Sequence, residues 1–134
     1  MMRRGIIALI VVMMSATASV RAHHKTSTLY DVEKPVPLEG TVTAFLFRNP
    51  HTYVFVDARN GDGTIVNWKV ELLAGLILNR EGVARDFFKA GDPVSMTVCV
   101  AKDGSHTAAA QYFFVPSSLT NKRAGTCKDP SQTK

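Results

Sequence analysis

The chain has 134 residues, 46% of them hydrophobic and 20% charged, a composition that fits one small globular domain and leaves no room for two. A mean hydropathy of +0.02 excludes wholesale disorder, and the one long apolar run, at the N-terminus, excludes a multi-span membrane protein. The formal charge of +5 gives no footprint for nucleic acid, because residues 1–22 read as an export signal whose removal takes three arginines and leaves 13 basic against 11 acidic residues.

That signal is a charged start (Arg3, Arg4), a short apolar stretch from Gly5 to Met14, and small or polar residues from Ser15 to Val20 before Arg21-Ala22. Exits after Ala18 and after Ala22 are both usable, and we favour Ala22, which makes His23 the first mature residue. No cysteine stands at the exit, so a lipid anchor is not expected, nor stable membrane insertion after cleavage. The expected location is periplasmic or secreted.

Residues 23–37 show neither helical nor strand period, and Pro35 and Pro37 hold the backbone extended, so an irregular lead-in is expected. The domain proper is expected over 38–115. From Leu38 the chain alternates, with Leu38, Gly40, Val42, Ala44 and Leu46 on one face and Glu39, Thr41, Thr43, Phe45 and Phe47 on the other. Arg48-Asn49-Pro50 ends that strand. A second follows from His51 to Ala58, and Asn60-Gly61-Asp62-Gly63 predicts a hairpin turn, with residue types that tolerate positive φ. The third strand, Thr64 to Glu71, sets Val66, Trp68 and Val70 against Asn67, Lys69 and Glu71.

Leu72 to Arg80 is a continuous apolar stretch of helix formers, weakened by Gly75. Gly91-Asp92-Pro93 leads to the clearest strand, in which Val94, Met96, Val98 and Val100 alternate with Ser95, Thr97, Cys99 and Ala101. Lys102 to Ser105 predicts a hairpin, and His106 to Val115 the return strand. Residues 116–134 read as a polar tail, loop unless Cys127 ties it down. The order β-β-β-α-β-β predicts a mainly β fold, a small five-stranded, partly open OB-like barrel with one short helix. A five-stranded sandwich under a helix is the alternative.

Cys99 and Cys127 both fall in the mature part, where an oxidising compartment predicts a disulfide. The four histidines, His23, His24, His51 and His106, stand at element boundaries. A mature start at His23 would let its amine and imidazole chelate one metal, for which Cu(II) is the fitting ion, with His24, His51 or His106 completing the set. The competing reading makes all four ordinary solvated or strand-end residues. Phe45 and Phe47 share a face with Thr41 and Thr43, which makes them candidates for an exposed ligand face. No G-x-S-x-G elbow, phosphate-cradling glycine loop or twelve-residue calcium loop is present. Asp57 and Glu71 are acids on neighbouring strands with nothing to mark them as a catalytic pair.

Several segments occurring in order, His23-His24, Pro35 to Val42, Asn49-Pro50-His51, Asn67 to Glu71, Arg85-Asp86, Gly91 to Val94 and Ala101 to Ser105, resemble DUF6152, a bacterial family of small exported proteins of unknown function. The resemblance covers roughly residues 23–115. It implies export and no defined activity. The functional expectation is a non-enzymatic binding module for a small ligand or an envelope protein, with copper binding as the alternative. An enzyme is not expected, because no nucleophile, base and orienting group can be named together.

Overall fold

The computed structural model describes residues 26–115, 120–123 and 127. His23, His24 and the export segment lie outside them. The described chain runs α1 (Thr26–Leu29), β1 (Val36–Leu46), β2 (Thr52–Arg59), β3 (Ile65–Leu72), α2 (Gly75–Arg80), β4 (Pro93–Val100), β5 (Thr107–Val115) and β6 (Thr120–Arg123). The strands pair in the order β3-β2-β1-β4-β5-β6, and β3 also pairs with β5. That last pairing is parallel, joining Lys69, Val70 and Glu71 to Thr107, Ala108 and Ala109, and every other pairing is antiparallel. Five strands therefore close on themselves, and the connectivity is that of an OB-like barrel, mainly β with a short helix between β3 and β4.

Alternation decides what fills the barrel. Leu38 and Val42 of β1, Val54 and Val56 of β2, Val70 and Leu72 of β3, Val94, Met96 and Val98 of β4, and Ala108, Ala110 and Phe113 of β5 form one buried cluster. β-branched residues recur in β2 (Thr52, Val54, Val56) and β4 (Val94, Thr97, Val98, Val100), as suits a pleated surface buried on one side. At Gly40 the neighbouring strand leaves no room for a side chain. A Cβ there would fall on the Asp57 carbonyl oxygen and within 2.7 Å of a Val56 methyl.

The first strand departs from the expected alternation. The register shifts between Val42, which faces Val56, and Ala44, which faces Phe55, so Thr43 is an extra residue on β1. A one-residue insertion exchanges the faces of all that follows. Phe45 and Phe47, expected outside with Thr41 and Thr43, instead pack against the core, while Leu46 is turned outward. The Phe45 ring meets Phe88 edge-on at 5.0 Å and Phe47 at 5.8 Å.

Three boundaries also differ from expectation. β1 begins at Val36, inside the expected lead-in, because the extended backbone that Pro37 imposes suits a strand. Leu72 ends β3, and the helix opens only at Gly75, where a Cβ would stand 2.9 Å from the Phe47 ring. Asn49 Oδ1 accepts the Leu76 N–H, tying the start of α2 to the loop between β1 and β2. Within the expected tail, β6 pairs with β5 from Thr120↔Val115 to Arg123↔Tyr112.

Candidate functional site

Outward-facing residues of β2 and β3 are fixed by their hairpin. Asp62 Oδ1 accepts both the Thr64 hydroxyl and the Thr64 N–H, and Gly63 takes φ +88°. These two bonds, the side-chain one foremost, hold the Asp62 carboxyl below the usual carboxylate range. From this turn the ladder counts back in pairs, Arg59↔Ile65, Asp57↔Asn67, Phe55↔Lys69 and Tyr53↔Glu71. Asp57 and Glu71 share a face but lie two such pairs apart. Asp57 accepts a bond from Asn67 Nδ2 at 2.7 Å, and Glu71 has other partners.

Glu71 is the centre of the arrangement. Its Oε2 accepts the Tyr30 hydroxyl at 2.8 Å, and its Oε1 lies 2.9 Å from His51 Nδ1. Tyr30 follows α1 in the lead-in and is buried, joined to Ala101 by an isolated bridge. Burial first, and donation to Glu71 second, push its phenol well above the ordinary tyrosine range. His51 has 48% of its side chain exposed. With Nδ1 on the carboxylate, its Nε2 is the ring nitrogen left for another partner.

Beside this chain lies Tyr53, with Lys69 Nζ 4.3 Å and the Arg48 guanidinium carbon 5.2 Å from its ring centroid. Two cations from different elements thus converge on one ring. Neither forms a salt bridge with a described residue. Phe55, half-buried, follows Tyr53 on the same outward face, directly opposite Lys69.

The structure separates the two described histidines. His51 pairs with Glu71 on the outer side of β3, whereas the His106 ring meets the Trp68 ring edge-on at 5.3 Å. Trp68 belongs to the inward set of β3, packed against the core. Among the described residues, no group of three or more His, Cys, Asp and Glu side chains could hold a metal ion. Cys99 and Cys127 stand at bonding distance with Cα atoms 5.9 Å apart. Both are buried with Tyr30 and Ala109 in a second small cluster outside the barrel.

Tyr30, Arg48, Tyr53, Phe55, Lys69 and Glu71 were not marked as site residues by the sequence. The signal for four of them was present, since an Asn-Gly-Asp-Gly turn fixes the β2–β3 register and so the outward neighbours Tyr53, Phe55, Lys69 and Glu71. Nothing in the sequence pairs Tyr30 with Glu71, because that contact depends on how the lead-in folds back.

A family model described as a family of unknown function, DUF6152, matches residues 10–110. No curated protein matches the chain. Among solved structures, the chain is similar to the mitochondrial single-stranded DNA-binding protein of S. cerevisiae, at 9% identity and a TM-score of 0.47, covering 62% of this chain and 93% of that one.

Proposed function

The chain belongs to the DUF6152 family, whose function is unknown, and from that premise we propose that it is a non-enzymatic binding module. It is exported to the periplasm or secreted, and it takes a small ligand or an envelope protein, not nucleic acid. The observation that carries the reading is the outer face of β2 and β3, where Tyr53, Phe55, Lys69, Arg48 and His51 stand together, with two aromatic rings and two cations not used by the fold's own ion pairs. A rigid sheet bearing a few convergent polar groups is a suitable seat for a ligand. Export is supported by the Arg3-Arg4 start, the apolar stretch and the Val20-Arg21-Ala22 exit, and by a cysteine pair at bonding distance.

Titrating fractions of envelope extract into the isotope-labelled protein tests the reading. A binding fraction is expected to shift the amide resonances of Tyr53, Phe55 and Lys69, and the shifts are expected to vanish when Tyr53 and Phe55 are replaced by Ala. Reproducible hydrolytic or redox turnover would count against it. N-terminal sequencing of the exported protein is expected to begin at His23.

The second reading is copper binding through the amine and imidazole of a mature N-terminal His23, with His51 or His106 as the further ligand. A carboxylate on one ring nitrogen is the usual support of a ligating histidine, and Glu71 gives that support to His51. Titration with Cu(II), followed by paramagnetic resonance, is expected to change between the native protein and His51→Ala on this reading. An unchanged spectrum removes His51 from it.

A further inference from the structure

We infer that the β2–β3 face selects a ligand carrying an oxyanion, carboxylate or phosphate, on a flat apolar body, the oxyanion at Arg48 and Lys69 and the body on Phe55. The inference rests on the binding-module reading and names its ligand class.

The charges set the sign. Glu71, paired with Tyr53, and Asp57, paired with Asn67, flank the Phe55↔Lys69 pair on this face, and the two oxygens of Glu71 are engaged by Tyr30 and His51. Asp57, the other outward acid of the hairpin, accepts from Asn67. Arg48 and Lys69 make no salt bridge with a described residue, so both cations of this face are without a described carboxylate partner.

Position comes from the Tyr53 ring. Arg48 reaches it from the loop between β1 and β2, and Lys69 from β3, so the ring holds two long side chains that would otherwise sample many rotamers. Holding them in advance lowers the ordering cost of binding an anion between them. A guanidinium presents a planar fork that matches carboxylate and phosphate alike.

The ligand's body follows from Phe55. It is two residues beyond Tyr53 on the same side of β2 and directly opposite Lys69, so an oxyanion at Lys69 brings an attached ring within reach of the Phe55 ring.

Benzoate, phenyl phosphate, inorganic phosphate and the neutral benzamide, titrated into the labelled full chain, test the assignment. Benzoate and phenyl phosphate are expected to shift the amides of Tyr53, Phe55 and Lys69, the tighter of the two naming the preferred oxyanion, and benzamide to bind about ten-fold more weakly than benzoate. Arg48→Ala and Lys69→Ala are each expected to weaken benzoate several-fold. Phe55→Ala should weaken the aromatic probes and leave inorganic phosphate unchanged. Lys34→Ala, on the exposed turn before β1, should change nothing. Benzamide binding as well as benzoate, or Lys34→Ala weakening it as much as Lys69→Ala, overturns the oxyanion assignment, while extract fractions that still shift this face would leave the binding-module reading standing. If neither probes nor fractions shift it, both fail.

Discussion

Glu71 joins two parts of the chain that the sequence keeps far apart, the lead-in through Tyr30 and the loop before β2 through His51. Removing it leaves a buried phenol without its acceptor, a loss that costs about 1–3 kcal/mol. Glu71→Ala is therefore expected to lower the urea midpoint by that amount. Tyr30→Phe should cost less, and adding it to Glu71→Ala should cost little more, a non-additivity that a double-mutant cycle measures. The same contact has a pH signature. Its folded-state pKa is raised, so the neutral Tyr30 contributes stability that is complete below the ordinary tyrosine range and is lost as pH rises through the folded value. In an alkaline titration followed by phenolate absorbance, the Tyr30 step is expected well above the ordinary tyrosine range and together with loosening of the lead-in. In Glu71→Gln that step should move toward lower pH, because a carboxamide adds no negative charge beside the phenol.

Among the elements, β1 carries the tightest steric requirement. Gly40 admits the Asp57 carbonyl where any Cβ would collide with backbone, which cannot yield as a flexible side chain would. Gly40→Ala is expected to destabilise by about 3 kcal/mol or more, read as a fall in the denaturant midpoint, whereas Gly61→Ala, at a turn position open to solvent, should stay within about 0.5 kcal/mol. The strands were legible because their periods are clean: β3 and β4 place Val66, Trp68 and Val70, and Val94, Met96 and Val98, on the faces their alternation predicts. β1 was legible only up to Val42. Thr43 is an ordinary strand residue, and the bulge it forms belongs to a mismatch of lengths between β1 and β2 that no local pattern announces. Phe45 and Phe47 were misplaced for that reason alone. The outer face of β2 and β3 was half legible: the hairpin determines which residues point outward, but that Glu71 is engaged by Tyr30, and that Arg48 leans on Tyr53, are tertiary facts.

Across the whole molecule, β-barrel closure and the cysteine pair act on different parts. The barrel closes through β3 and β5 without help from sulfur, and Cys99 with Cys127 pins the C-terminal segment to β4 across a sequence separation of 28. A loop of that length gives about 3.5 kcal/mol in the chain-entropy description. Intact mass of the protein purified without reductant is expected to rise by two hydrogens on reduction, and the reduced form to unfold at lower denaturant by roughly that energy. Two freely alkylated thiols in the unreduced protein would show the bond absent.

The small cluster of Tyr30, Cys99, Ala109 and Cys127 lies apart from the barrel core and draws on both ends of the described chain. Two segments that share one buried cluster lose it together. Amide exchange should therefore report two cooperative units, an outer one in which Asp31, whose N–H bonds Val100, and Cys127, whose N–H bonds Ala110, open in a single step, and an inner one of Val54, Val56 and Val70 that opens only with global unfolding. Disturbing either end, by proteolysis near Thr26 or by reduction at Cys127, should then raise exchange at the other end while the inner unit keeps its protection.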